Sequence, residues 1–382
     1  MRSRNFGPYF AGNAASASGT WFQNLAASIF VYRATHSPFL LGVLNFCQFA
    51  PVLALSPWAG AFADRHDRRR LLLVTQVASV LLSGGLAVLG WAGLARVWNV
   101  IACSAGLGVA SAFAVPSQQS LIAALVQPDD VPQAVALNSM TFNLARAIGP
   151  ASAAGVIAGL GIPWAFALNS GSYLALVAGL LAVRPREEER AERPSLRESF
   201  ALLRADRRLT IALLVVMTAG FGSDPVNTEG PAFAHAFGYS ETWAGAIVAF
   251  FGAGAVCAAL LVAGRVVGSR RRMGLTLGAL GAGIALFAVS PWLPLGFVFL
   301  ALAGFGYLSS NTAATTRLQL GVPPSQRGRI MALWGIAFLG LRPVASLTDG
   351  AIAGALGVRV AGVVLAVPAA LGAAVALRRR RI

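Results

Sequence analysis

The chain has 382 residues, of which 57% are hydrophobic and only 12% charged, and its mean hydropathy is +0.69. Soluble globular chains carry about twice that share of charge, so two or three water-soluble domains would lack the polar surface to cover themselves. The net charge of +16 sets 30 arginines and no lysine against 14 acids, and three widely spaced cysteines in apolar runs (Cys47, Cys103, Cys257) exclude a disulfide scaffold and a thiolate metal site.

A bilayer core about 30 Å thick takes about 20 apolar helical residues. Twelve such stretches follow one another, over 11–33, 38–63, 71–93, 97–126, 132–159, 162–183, 209–235, 241–264, 273–290, 295–317, 327–355 and 358–377. The first carries Trp21, Gln23 and Asn24, which suit a helix facing an interior, and it lacks a leader's cleavage pattern, so it is expected to be retained. The charged interval 184–208, RPREEERAERPSLRESFALLRADRR, separates six spans from six. The expected architecture is an all-α membrane protein with twelve transmembrane helices. They form two pseudo-twofold-related six-helix bundles, 1–183 and 209–382, joined by a cytosolic linker at 184–208.

Arginine placement predicts the orientation. Of the 30 arginines, 24 fall on one set of alternate connections, Arg33, Arg96 and Arg359 fall on the other, and Arg146, Arg317 and Arg342 lie within spans. The positive-inside rule then puts both termini and the linker in the cytosol. The basic excess is a topology signal with contact to anionic lipid, and nucleic acid is not an expected partner.

The two halves show weak self-similarity. GLG at 106–108 matches GFG at 304–306, Ala136-Leu137 and Arg146 match Ala332-Leu333 and Arg342, and Gly155 and Gly159 match Gly350 and Gly354. The offsets drift only between 195 and 198 residues, as a duplicated six-span unit with small indels would show.

Between the second and third spans stands GAFADRHDRRRLLL, residues 60–73. Gly60 lets two helices approach, Asp64 at a helix end can accept from free N–H groups of a neighbouring helix, and Arg65, Arg68 and Arg69 hold the loop at the headgroups. The segment resembles the loop signature of the major facilitator superfamily, with Phe62 in place of a leucine and Asp67 where many members have glycine. The resemblance implies that Asp64 latches the two halves on the cytosolic side. The second-half loop at 264–273 keeps arginines but has no aspartate.

In the fifth span, ARAIGPASAAG at 145–155 is similar to that superfamily's antiporter motif, with Gly149, Pro150 and Gly155 as a helix-bending, close-packing element. The segments PSQQSLIAALV (116–126) and LNSMTFNLARAIGP (137–150) resemble its exporter branch of enterobactin and macrolide efflux proteins. Ala102 stands where many proton-coupled members carry an arginine.

Ionisable groups at membrane depth mark function. Asp224 and Glu229 lie in the seventh span among Gly222, Pro225, Gly230 and Pro231, with Asp224 about 22 Å along from residue 209 at 1.5 Å per residue. Arg146 and Arg342 reach a similar depth and are candidates to pair with Asp224, and Asp349 follows Arg342 on the same helical face. These five residues are the candidate substrate or proton-coupling set. Asp224 is the first choice and Glu229 the second, because a partly desolvated carboxylate can bind a proton or a cationic substrate in turn. A structural arginine–carboxylate pair is the alternative reading. Trp21, Gln23, Asn24, Phe113, Gln118, Gln119 and Asn311 are candidate cavity-lining residues. His36 and His235 fall at outer connections and stay outside the site.

No nucleotide-binding loop, H-E-x-x-H or G-x-S-x-G occurs, so a nucleotide-driven pump and an intramembrane enzyme are disfavoured. No cofactor or metal is expected. The expected function is export of a small amphipathic molecule, such as a drug or siderophore, by alternating access with proton antiport. The protein is expected as a monomer in the bacterial cytoplasmic membrane. An importer or facilitator of the same fold, or a non-transporting receptor or scaffold, are the alternatives.

Overall fold

The computed structural model describes residues 5–184, 204, 206–262, 269–323 and 326–378, and every regular element among them is helical. Of the expected linker, residues 185–203 and 205 lie outside the described residues. So do the surroundings of Gly60 and the side chain of Asp64.

The helices are α1 (Phe6–Thr35), α2 (Pro38–Arg65), α3 (Arg68–Trp91), α4 (Val97–Leu125), α5 (Val131–Leu160) and α6 (Ile162–Ala182). They continue with α7 (Arg207–Gly222), α8 (Asp224–Thr228), α9 (Gly230–Ala236), α10 (Ala244–Val262), α11 (Arg270–Val289) and α12 (Leu293–Leu320). The last three are α13 (Arg327–Leu339), α14 (Arg342–Leu356) and α15 (Val358–Leu377). Among the described residues, ten stretches are long and apolar enough to cross a membrane. The two 30-residue helices α1 and α5 are not among them, although each is about 45 Å long at 1.5 Å per residue. They are long enough and too polar.

Two of the expected spans, 209–235 and 327–355, carry interruptions in their helices. The first is α7, α8 and α9, broken at Ser223 and Glu229; the second is α13 and α14, broken at Gly340 and Leu341. Pro225, Pro231 and Pro343 each occupy the first turn of the helix that follows a break. Proline has no N–H to donate and its ring crowds the carbonyl four residues back, so it opens a helix more readily than it continues one. Pro116 and Pro150, by contrast, lie inside unbroken α4 and α5.

The chain divides into two compact units, residues 1–35 with 47–191, and residues 36–46 with 192–382. In the first, α1 packs along α5 and α6, and α3 along α4 and α6. In the second, α11 packs along α12 and α15, α10 along α12, and α14 along α15 and the short α8. Lipid is as apolar as leucine, so helices associate in it through close fit and polar contacts rather than through hydrophobic exclusion. Gly350 shows the close fit: a Cβ there would lie 2.8 Å from the Cα of Gly42 on α2. The matching Gly155 of the first half has nothing within 4 Å, so the repeated glycines do not do the same work.

Candidate functional site

The second unit buries three carboxylates. Asp224 opens α8, Glu229 occupies the break between α8 and α9, and Asp349 lies in α14, which packs on α8. Their exposures are 2%, 0% and 0%. Glu229 feels both Asp349 and Asp224 electrostatically, and Asp349 feels Asp224, so the three acids share one neighbourhood. Thr228 Oγ1 donates to Asp224 Oδ2 at 2.9 Å. Neither oxygen of Glu229 or Asp349 has a hydrogen-bond partner among the described residues. An ionised carboxylate without a partner in such a place costs several kcal/mol, so Glu229 and Asp349 are unlike members of a structural ion pair. The trio does not converge as a metal requires: among the described residues no three His, Cys, Asp or Glu side chains do.

Of the two arginines expected near Asp224, Arg342 opens α14, seven residues before Asp349. Arg146 belongs to the first unit, where its guanidinium lies 5.5 Å from the centroid of the Trp21 ring.

The first unit buries amides and hydroxyls instead, and several of these are bonded to one another, although Gln76 Oε1 and the Tyr9 hydroxyl have no partner among the described residues. Gln23 on α1, 2% exposed, accepts at Oε1 from Ser83 Oγ on α3 and from Asn169 Nδ2 on α6, both at 2.7 Å. Its Nε2 donates to Cys103 Sγ on α4 at 4.0 Å. One side chain thus ties four helices. Asn13 donates to Asn138 Oδ1 on α5 at 2.6 Å and accepts from Gln118 Nε2 on α4. Asn24 accepts from Gln48 Nε2 on α2 at 2.8 Å. These bonds explain why a hydropathy count passes over α1: its polar side chains are spent on neighbouring helices rather than facing lipid. The sequence reading named Gln23, Asn24 and Gln118 but missed Asn13, Ser83 and Asn169 as their partners. Only midspan position could have pointed to them, since residues four helices apart show no spacing.

The remaining candidates are dispersed. Trp21 is buried, with Phe142 edge-on to it at 6.1 Å between ring centroids. A Cβ on Gly149 would lie 2.8 Å from the Trp21 Cβ, so this motif glycine lets α5 meet α1. Pro150 is buried beside it. Phe113 packs edge-on to Phe62 at 5.9 Å, Gln119 is exposed, and Asn311 Oδ1 is buried without a partner among the described residues.

In the loop at 60–73, Asp67 supplies the cap that the sequence reading did not assign it. Its Oδ1 accepts from the backbone N–H of Arg69 at 2.8 Å and of Arg70 at 3.1 Å, starting α3. Arg69 then reaches the far end of α6, donating to the carbonyls of Leu180 at 2.6 Å and Leu181 at 3.0 Å. A cation on orphan carbonyls at a helix C-terminus is favourable twice over, through the hydrogen bonds and the helix dipole. The second half repeats the device: Ser269 caps α11 through the Arg272 N–H at 3.3 Å, and Arg270 donates to Val375 O near the end of α15 at 2.9 Å. Arg65 is exposed and Arg68 half-buried.

Comparison with known proteins agrees with this helical organisation. The family described as "Transmembrane secretion effector" matches residues 1–381. The chain is 31% identical to the staphyloferrin A transporter of Staphylococcus aureus over 221 residues, 56% of each chain, so it spans about half the length of that relative. It is 28% identical to the enterobactin exporter EntS of Escherichia coli over 376 residues, 89% of this chain and 86% of the relative. Among solved structures, it is similar to a bacterial homologue of the human lysosomal transporter Spinster in an inward-facing, unoccupied conformation. There the TM-score is 0.79 at 13% identity, over 99% of this chain and 97% of the other. The nucleoside transporter NupG gives 0.73 at 14% identity over 99% and 98%. Identities this low speak for the fold alone. With its whole length matched, the chain belongs to the transmembrane secretion effector family of the major facilitator superfamily, multi-pass membrane transporters and not enzymes.

Proposed function

We propose that the protein is a secondary active exporter of a small amphipathic molecule of the siderophore type, driven by proton antiport. Counting α1 and α5 as spans brings the ten apolar stretches to twelve, arranged as two six-span halves in the bacterial cytoplasmic membrane with both termini in the cytosol. The arginine distribution supports that orientation. The names of the staphyloferrin A and enterobactin relatives support the substrate class. Asp224, Glu229 and Asp349 are the coupling residues, with Arg342 beside them on α14. Gln23, Asn24 and Gln118 serve as interhelical ties, and Trp21 with Arg146 forms a wall of the first half. Asp64 is the cytosolic latch.

One observation carries the coupling assignment: Glu229, at the interruption of a membrane helix, and Asp349, within the neighbouring α14, are fully buried and have no hydrogen-bond partner among the described residues. Interrupted helices in transporters recur where ions and substrates bind, because they bring unpaired backbone groups and polar side chains to midspan. A carboxylate there gains a proton when water leaves and yields it when water returns, which links protonation to access. Everted vesicles test this. Accumulation of an enterobactin-type catecholate should rise with an acidic interior and vanish in a Glu229→Gln, Asp349→Asn double variant. Gradient-driven accumulation at the wild-type rate in that variant would remove the assignment, and accumulation indifferent to the gradient in the wild type would favour a facilitator.

A further inference from the structure

The three acids of the second unit are not equivalent. Asp224 and Thr228 are the first and last residues of α8, four positions apart and so on one face of that short helix, and both are buried. A threonine hydroxyl has one hydrogen to give, and Thr228 Oγ1 gives it to Asp224 Oδ2 at 2.9 Å. The neighbouring polar side chains are spent on the backbone. Ser223 Oγ donates to Gly220 O at 3.0 Å, and Asn227 Nδ2 donates to Ser223 O at 2.7 Å. Glu229 follows Thr228 directly, yet neither of its carboxylate oxygens, nor either of Asp349's, has a hydrogen-bond partner among the described residues.

We propose that Thr228 is a positioning residue that keeps Asp224 ionised, so that Asp224 is the fixed charge of the trio and the exchanged protons ride on Glu229 and Asp349. A hydrogen bond to a charged acceptor is roughly twice as strong as one between neutral groups, so a hydroxyl donor favours the carboxylate over the carboxylic acid. Buried carboxylates in one neighbourhood do not all ionise together. The acid with a donor keeps the charge, and the two without one take the protons. The break in the helix holds this arrangement in place. The Glu229 N–H donates to Pro225 O at 3.0 Å and the Phe233 N–H to Glu229 O at 2.9 Å, so the backbone passes Glu229 with its own bonds made.

The basic residues on the elements packed against α8 are Arg342 on α14, Arg359 on α15, His235 on α9, and Arg207 and Arg208 at the start of α7; α10 carries none. Arg359 is engaged by the carbonyls of Ala288 at 3.2 Å and Ser290 at 2.6 Å. This division of labour deepens the coupling role proposed above and rests on it for its part in transport, whereas the protonation itself can be read in the resting protein.

Infrared spectra of the full chain in lipid at neutral pH resolve the C=O band of protonated carboxyls from the carboxylate bands. Glu229→Gln and Asp349→Asn should each remove about half of that band, and Asp224→Asn should not reduce it. Thr228→Val should enlarge the band by about half, as a third carboxyl takes a proton, and Asp224→Asn added to Thr228→Val should cancel the gain. Thr228→Ser keeps the hydroxyl and should match the wild type. In everted vesicles Thr228→Val should slow gradient-driven accumulation by about tenfold, the loss of one charge-assisted bond, and Thr228→Ser should rescue it. A Thr228→Val band equal to that of the wild type would overturn the positioning role. So would an Asp224→Asn loss as large as that of Glu229→Gln, a comparison that needs no change at Thr228. Wild-type export indifferent to the proton gradient would instead overturn the coupling role.

Discussion

The helices that begin the two halves handle buried polarity in opposite ways. On α1, Gln23 is neutral and bonded on both ends to Ser83, Asn169 and Cys103. On the interrupted α7–α9, Glu229 is ionisable, equally buried, and has no partner among the described residues. A satisfied amide network rigidifies the helices it joins. An unsatisfied carboxylate does the reverse: it makes the fold sensitive to a proton and to water. One unit is tied together by a network of amides where the other leaves carboxylates without partners among the described residues.

The comparison breaks most readily at the acids. Glu229→Gln combined with Asp349→Asn should lower gradient-driven export by two to three orders of magnitude in reconstituted vesicles, with ~3–4 kcal/mol of coupling lost. Its unfolding temperature in detergent should hold or rise, since neutral isosteres relieve the buried charge. Gln23→Leu should invert that pattern. It strands Ser83 and Asn169 and should destabilise the first unit by about 2–3 kcal/mol, read as earlier thermal unfolding. If instead Gln23→Leu were stable and inactive, the amides would belong to transport and the contrast would fail.

Two smaller effects sharpen the picture at the helix ends. Arg69→Gln removes the charged donors to Leu180 and Leu181 and should cost about 1.5–2 kcal/mol, seen as a lower midpoint in mild denaturant. Asp67→Ala removes only the cap on α3 and should cost about 1 kcal/mol. If Arg69→Gln instead abolished export while leaving stability unchanged, the arginine would serve the cytosolic latch rather than the end of α6.

The legible part of the molecule followed from solubility physics. An apolar, arginine-only chain with a charged interval at its middle is confined to a membrane, and the spans are where the apolar runs are. The proline-bearing runs at 209–235 and 327–355 were recognised as spans but not as broken ones. A proline states that a hydrogen bond is missing; whether the helix bends or stops depends on its neighbours, and Pro150 and Pro231 differ in that outcome. Among the site candidates, Asp224, Glu229 and Asp349 were visible because charge at depth is expensive wherever it occurs.

By itself, the sequence determined the membrane habitat, the helical class and the membership in a transporter family, because each depends on composition and motifs summed along the chain. Only the tertiary structure decided that Glu229 and Asp349 lie in one neighbourhood without partners among the described residues, that Gln23 holds four helices and that Arg69 closes the end of α6. These are pairings between residues more than a hundred positions apart or on separate helices, and the periodicity of a single helix carries no record of which neighbour its polar face will find.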